Sequence, residues 1–148
     1  MKMRTAGEIF STLRSIGLEE YRAVIASNAA YLSGRQAKLF VETTWQLFGE
    51  ISYAQQIELF KRSYLEKKNY AKYFYVKTAT TKPNAPSWDD LDQKIKDVLV
   101  DIFYQGTRYP ASLVEAALAG KTALIKFIQE DSALIRYEPT RQRIRYLQ

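Results

Sequence analysis

The chain has 148 residues, with 22 Lys and Arg against 16 Asp and Glu, a net charge of +6, and neither Cys nor His. The missing residue types exclude a disulfide, a cysteine nucleophile, a Ser-His-Asp triad and any Cys/His zinc site, so acid–base chemistry would fall to carboxylates, Tyr or Lys. This length, with 14% aromatic residues, predicts one folded domain over 1–148 that requires no metal ion and no cofactor.

Apolar residues at helical spacing predict three helices in the first third of the chain, over 8–15, 18–28 and 34–48. Gly17 separates the first two, and Gly49 follows the third. The third helix carries one clear apolar face, made of Ala37, Phe40, Val41, Thr44 and Phe48. The chain therefore opens as a helical protein.

A longer helix is predicted over 52–75, where apolar residues recur at helical intervals. Gln and charged residues lie mostly off this stripe, and Glu58 with Arg62 makes a favourable i,i+4 pair. We expect the stripe to be a core face, formed by Tyr53, Ile57, Phe60, Tyr64, Ala71 and Phe74.

The clearest helix is predicted over 88–105, with Ser87 as its N-cap and Asp89 and Asp90 in the first turn, where negative charge is favourable. Gly106 is a plausible end. A wide apolar face makes this the expected central buried helix, with Leu91, Ile95, Val98, Leu99, Ile102 and Phe103 turned towards the core.

The remaining sequence predicts a helix from Pro110 to near Gly120, another over 121–130, and two short helices over 133–147 broken at Pro139. A Thr- and Pro-rich loop over 78–86 separates the two strongest helices. No segment alternates with period two. The expected fold is all-α, a compact bundle of about seven or eight helices.

The positive charge is concentrated in one segment. Residues 61–82 hold seven basic residues and one acidic residue, while the rest of the chain has fifteen of each. Such a segment predicts an anionic partner, either nucleic acid, a membrane surface or a cell-wall polymer; a solvated helix face is the plainer interpretation. The basic patch comprises Lys61, Arg62, Lys67, Lys68 and Lys72.

The first four residues begin like a signal peptide, but Thr5, Gly7 and Glu8 interrupt any apolar run. No stretch approaches the roughly 18 apolar residues of a membrane-spanning helix. We therefore expect synthesis in the cytoplasm without a secretory signal, so that action in the periplasm would require another export route.

Four short stretches together resemble a known family: AAYLSGRQA at 29–37, ISYAQQIELF at 51–60, SWDDLDQKIKDVLVDIFYQG at 87–106 and PTRQRIRYL at 139–147. Over about 32–147 the chain resembles the C-terminal half of pesticin-like lysozymes, relatives of phage lysozyme found in bacteriocins, phage endolysins and secretion-system effectors. The matching residues in the last two stretches are Trp88, Leu91, Val100, Asp101, Ile102, Tyr104, Gly106, Arg141, Arg145, Tyr146 and Leu147.

The resemblance implies a lysozyme-like bundle, a muramidase-type glycoside hydrolase activity and peptidoglycan as the substrate. In that family the catalytic Glu and a Gly-rich hairpin precede this region, whereas the first 30 residues here hold only Gly7 and Gly17. We therefore expect a catalytically incomplete domain, or one that depends on a missing N-terminal segment or on a partner polypeptide for the hairpin.

Two carboxylates are weak candidates for catalysis, because glycoside hydrolysis requires a pair across the scissile bond. Glu8 precedes Ile9 and Phe10 near a helix start, although an ordinary helix N-terminal charge is the plainer interpretation. Asp101 lies at the edge of the apolar face of the central helix. The alternative to a catalytic role is a structural ion pair with Arg141, Arg143 or Arg145 of the C-terminal cluster. The catalytic residues stay unknown.

The predicted sugar-contact residues surround Gly106, since aromatic rings stack on sugar faces while Gln and Arg supply directional hydrogen bonds. They are Tyr104, Gln105, Arg108 and Tyr109. Packing of these tyrosines in the core is the plainer interpretation. The alternative function is a non-enzymatic basic helical module that binds nucleic acid or an acidic protein, because Lys residues alternate with tyrosines between 61 and 82.

Overall fold

The structure, a computed structural model, describes residues 4–148, and these residues form ten helices and no β-strand. The helices are α1 (Ala6–Ser15), α2 (Glu20–Ser27), α3 (Gly34–Phe48), α4 (Tyr53–Ala79), α5 (Gln93–Gln105), α6 (Pro110–Leu118), α7 (Lys121–Glu130), α8 (Ser132–Ile135), α9 (Glu138–Arg141) and α10 (Arg143–Leu147). The all-α fold class is confirmed. The described helices outnumber the seven or eight predicted because the C-terminal tail holds three short ones.

The predicted break at Pro139 is wrong. Pro139 lies in the first turn of α9, where its missing N–H costs no hydrogen bond. The chain instead breaks at Gln142, which adopts a left-handed conformation with φ of 52° between α9 and α10. This sharp turn starts α10 with Arg143.

The chain divides into two compact units, one ending at Ser63 and the other spanning 64–148. The single-domain organisation over 1–148 stays a prediction. The long helix α4 contributes residues to both units.

The N-terminal unit is organised by helix caps and one buried arginine. Thr5 and Glu8 form a reciprocal capping box at the start of α1. Arg22 of α2 is buried, and its Nε donates to the carbonyl oxygen of Phe48 at 2.5 Å, while its Nη2 donates to that of Glu50. The guanidinium also lies over the Phe48 ring. Arg22 therefore ties α2 to the end of α3.

The C-terminal unit holds a continuous apolar core around α5. The predicted buried face of α5 is confirmed, and helices α4, α6, α7, α8 and α10 add side chains to it. The loop before α5 is anchored as well, because the Tyr75 hydroxyl donates to the carbonyl oxygen of Pro86 at 2.8 Å and the Tyr75 ring meets Trp88 edge-on.

Helix α5 begins at Gln93 rather than at residue 88, so the predicted N-terminus is wrong. Asp92 is the N-cap, and its side chain accepts hydrogen bonds from the backbone N–H groups of Lys94 and Ile95. Ser87 caps only the turn before it, through the backbone N–H of Asp90. Two competent capping residues lie five apart, and periodicity alone does not choose between them.

The predicted core stripe of α4 is wrong over its first half. The side chains of Tyr53 and Phe60 are 78% and 56% exposed, and Tyr64 is exposed too. Of the six residues of the predicted stripe, only Ala71 is buried, and Phe74 is partly buried against the core. The stripe identifies the apolar side of a helix of 27 residues, but it does not say how much of that length has a neighbour.

Asp92 also gives a pH-dependent contribution to stability. Its Oδ2 lies 2.9 Å from Lys121 Nζ, and this hydrogen bond, assisted by those from the backbone, lowers the pKa of the Asp92 carboxyl. Because the folded-state pKa is the lower one, the stabilisation is present above the unfolded-state pKa of about 3.9 and is lost as the pH falls through the folded-state pKa. We expect Asp92→Asn, which can still cap, to lower the melting temperature at neutral pH.

The difference between Asp92→Asn and the unmodified chain should disappear on acidification, as followed by circular dichroism melts between neutral and acidic pH. Asp89→Asn is the matched control, since Asp89 is more exposed and 3.8 Å from Lys72, and it should change little. Equal melting temperatures of Asp92→Asn and the unmodified chain at every pH would refute the role of the charge.

Candidate functional site

The predicted sugar-contact residues lie in one short segment at the C-terminal end of α5, residues 104–109, which we name the contact segment. Gly106 ends the helix with φ of 102°, a conformation that suits glycine, and its N–H still donates to the carbonyl of Ile102 at 2.9 Å. The Thr107 hydroxyl accepts from the N–H of Tyr109 at 3.1 Å, and Pro110 then opens α6. The turn is thus defined by local chemistry, and it exposes Tyr104, Arg108 and Tyr109.

Gln105 has a different role from its three neighbours. It is half-buried, its Oε1 accepts a short hydrogen bond from Arg143 Nη2, and its Nε2 lies 3.5 Å from the carbonyl oxygen of Ala133. Since its amide bonds to the buried Arg143 on one side and lies near the Ala133 carbonyl on the other, we assign Gln105 to positioning the segment rather than to binding a ligand.

Arg143 is the centre of this network and is only 2% exposed. Its Nε donates to Asp101 Oδ2 at 2.6 Å, and Arg141 Nη1 donates to Asp101 Oδ1 at 3.0 Å. The third nitrogen of Arg143, Nη1, lies 3.6 Å from Glu138 Oε1. Asp101 and Gln105 thereby attach α9 and α10 to α5, while Glu138 of α9 lies beside Arg143 of α10.

A second contact attaches α10 to α5. The Tyr146 hydroxyl donates to Asp97 Oδ2 at 2.7 Å, and this hydrogen bond to a carboxylate raises the pKa of Tyr146. The next residue, Leu147, is buried in the core. The C-terminal helix therefore uses both polar and apolar contacts.

The two carboxylates considered for catalysis have structural partners. Asp101 bonds to Arg141 and Arg143, as the ion-pair alternative anticipates. Glu8 accepts a hydrogen bond from the backbone N–H of Thr5 at 2.7 Å as part of the capping box. Glu8 belongs to the N-terminal unit and Asp101 to the C-terminal unit, and each carboxylate binds partners of its own unit.

The basic patch on α4 is partly neutralised by ion pairs. Lys61 Nζ is 2.8 Å from Glu58, Lys72 Nζ is 3.8 Å from Asp89, and Lys82, further along the basic segment, is 3.1 Å from Glu115. Arg62 donates to the carbonyl oxygen of Ser15 at 3.4 Å. The remaining predicted members, Lys67 and Lys68, belong to the C-terminal unit.

Within residues 4–148, no three carboxylates converge closely enough to hold a metal ion. None of the helices described here combines the length and the apolar character needed to cross a membrane.

The chain belongs to the family described as a domain of unknown function (DUF8812), whose sequence pattern matches residues 1–134. No curated protein and no solved structure matches it. The matched range includes Asp101 and the contact segment and ends before Arg141 and Arg143.

Sequence reasoning did not single out Arg143 or Arg22 as buried groups. Arg143 precedes the buried Leu147 by four residues, which places both on one side of α10, and this spacing is the available signal. Arg22 has no comparable signal, because its acceptors are backbone carbonyls that only the fold brings near.

Arg143 gives a direct test of the network. Arg143→Ala removes the donor of Gln105 Oε1 and one of the two arginine donors of Asp101, which keeps Arg141, so we expect a loss of about 1–3 kcal/mol in the free energy of unfolding, measured by urea denaturation. Arg145→Ala, on the exposed side of the same helix, is the control and should cost less than about 0.5 kcal/mol. Equal effects of the two variants would show that the buried network contributes nothing specific.

Proposed function

We propose that this chain is a peptidoglycan-directed, lysozyme-like domain that binds the glycan but does not cleave it by itself. The catalytic acid and its Gly-rich hairpin would come from a further segment or a partner polypeptide. The site of action would be the periplasm.

The observation that carries this proposal is the Asp101–Arg143–Gln105 network. Two stretches that carry the lysozyme resemblance, at 87–106 and 139–147, are separated by 32 residues in sequence and meet through these side chains. Contact between the two stretches supports the resemblance, since chance matches at unrelated places in the sequence would not need to contact each other in the fold.

The exposed side of the contact segment has the chemistry to bind a sugar chain. Tyr104 and Tyr109 offer aromatic surface for the apolar faces of pyranose rings, and Arg108 between them supplies donors for hydroxyl, amide carbonyl or carboxylate oxygens. Gln105 holds the segment from beneath through Arg143. A supported turn of this kind limits the conformational entropy lost on binding.

The state of the carboxylates supports binding without cleavage. A general acid of a glycoside hydrolase is kept protonated by an apolar setting, and its partner faces it across the substrate. Asp101 has two arginine partners, and Glu8 has its capping role. These engagements favour a scaffold that requires a carboxylate from elsewhere.

The alternative, a basic module for nucleic acid or an acidic protein, has less support because three lysines of the basic segment already face carboxylates. Each exposed pair is weak, so a polyanion could displace it. Nucleic-acid binding is therefore an outcome that the experiment must detect.

We expect the chain to sediment with purified, insoluble peptidoglycan. Loss of one stacking contact in Tyr109→Ala should weaken binding up to about tenfold, and Tyr104→Ala with Tyr109→Ala should weaken it further. Tyr53→Ala removes an exposed tyrosine of α4 outside the segment and serves as the matched control, with unchanged binding. Free protein in the supernatant gives the measurement.

A turbidity assay on the same peptidoglycan should show no clearing by this chain alone. Clearing would overturn the incomplete-site part of the proposal while leaving binding intact. Absence of sedimentation, together with salt-sensitive retardation of DNA that is lost on reversing Lys67, Lys68 and Lys72, would replace the proposal with the nucleic-acid alternative.

A further inference from the structure

One side of α5 carries a hydrogen-bonding side chain on every turn. Four such residues are spaced four apart, which places them in a row along the helix. They are Gln93, Asp97, Asp101 and Gln105. Residues 136–148, which contain α9 and α10 and which we name the C-terminal strap, donate hydrogen bonds to the last three of them. The strap is therefore held to α5 by a row of polar contacts.

The strap buries little apolar surface of its own. Within residues 136–148, Arg143 and Leu147 are the only buried side chains, and Leu147 alone is apolar. Glu138 and Ile144 are partly buried, and every other strap residue is exposed. A segment that buries few apolar side chains opens at a lower free energy than the core beside it. The burial pattern therefore favours local opening of the strap.

Two features of the closed strap lower the free energy needed to open it. Gln142 holds a left-handed backbone conformation with φ of 52°, which residues other than glycine rarely adopt. Glu138 Oε1 and Arg143 Nη1 are buried 3.6 Å apart, and neither atom has a hydrogen-bond partner within residues 4–148. Opening releases Gln142 and lets water reach both atoms.

The strap also acts on the contact segment through Gln105. Gln105 Oε1 accepts its hydrogen bond from Arg143 Nη2, and Arg143 belongs to the strap. The next residue is Gly106, whose φ of 102° lies in a region where glycine has wide conformational freedom. When the strap leaves, Gln105 loses this donor, and the turn that presents the contact segment is less constrained.

We propose that the C-terminal strap opens as one unit while the core around α5 stays folded, and that the closed strap orders the contact segment. A ligand that binds the ordered segment then also holds the strap closed, and the coupling is equal in both directions. The opening and its effect on the segment depend on contacts within this chain, whereas the effect on binding rests on the function proposed above.

Native-state amide hydrogen exchange of the full chain, followed by NMR at low urea concentrations, tests the opening. The amides of Ile144 and Tyr146 are bonded within the strap, to Glu138 Oε2 and to the carbonyl oxygen of Gln142. We expect both to be at least about tenfold less protected than the amide of Leu99 at the buried centre of α5. Their protection should also depend weakly on urea, because the opening exposes little surface.

A pair of matched variants tests the coupling. Tyr146→Phe removes the hydrogen bond to Asp97, so exchange at Ile144 should become about three- to tenfold faster. Exchange at Gly106, at the far end of α5 from Asp97, should become faster by the same factor. Tyr137→Phe is the control, because Tyr137 is also a strap residue with 46% exposure, and its hydroxyl has no hydrogen-bond partner within residues 4–148. It should change neither rate.

Gln105→Met shows whether Gln105 transmits the effect. The substitution keeps the length of the side chain and removes its hydrogen-bonding groups. Exchange at Gly106 should then be faster than in the unmodified chain, and adding Tyr146→Phe should no longer change it. A Gly106 rate that still follows Tyr146→Phe in this background would show that Gln105 does not carry the coupling.

Soluble peptidoglycan fragments test the effect on binding. At saturation, judged by the shift of the Tyr109 amide resonance, they should slow exchange at Ile144 and at Gly106 alike. Binding without slower exchange at Ile144 would overturn the link between strap and ligand. Fragments that do not bind at all would refute the proposed function, while the variants still decide whether strap and segment are coupled.

Three results would overturn the proposal without any ligand. One is exchange at Ile144 with the same protection and urea dependence as at Leu99, because the strap would then open only on global unfolding. Another is unequal urea dependence at Ile144 and Tyr146, which would indicate fraying of the terminus rather than opening of a unit. The third is an effect of Tyr146→Phe that is confined to the strap or is matched by Tyr137→Phe.

Discussion

A guanidinium buried without acceptors costs several kcal/mol, and the C-terminal unit places Arg143 where hydrogen bonds to Asp101 and Gln105, with the Glu138 carboxylate 3.6 Å from Nη1, offset that cost. Both hydrogen-bond acceptors, Asp101 and Gln105, lie on α5, and a planar guanidinium satisfies them only in a narrow range of geometries. Arg143 therefore helps to set the register of α10 on α5, together with the Tyr146–Asp97 hydrogen bond and the buried Leu147.

The same constraint reaches the exposed surface. Because Arg143 holds Gln105 at the last turn of α5, the chain leaves the helix in a defined direction, and Gly106 then turns it without strain. Tyr104, Arg108 and Tyr109 are presented together as a result. A buried ionic network gives an exposed aromatic segment its geometry, which links the stability of the unit to what it could bind.

Much of this fold follows from the sequence alone, and the exceptions have specific physical causes. The apolar face of α5 is recognisable because every member has a neighbour to cover it. The stripe of α4 has the same periodicity, yet Tyr53 and Phe60 remain exposed. Periodicity shows which side of a helix is apolar, but not whether another helix packs against that side. The start of α5 depended on a competition between Ser87 and Asp92 that the Lys121 contact helps to settle.

The candidate site shows the same limit. Composition and spacing could place tyrosines and an arginine beside Gly106, but Gln105 turned out to face inwards, because its partner lies 38 residues away along the chain. Helix α3 presents the reverse case, in which the sequence marks an apolar face and the fold leaves it open. Periodicity in the sequence therefore identifies the apolar side of a helix, and only the packing of the other helices decides whether that side is covered.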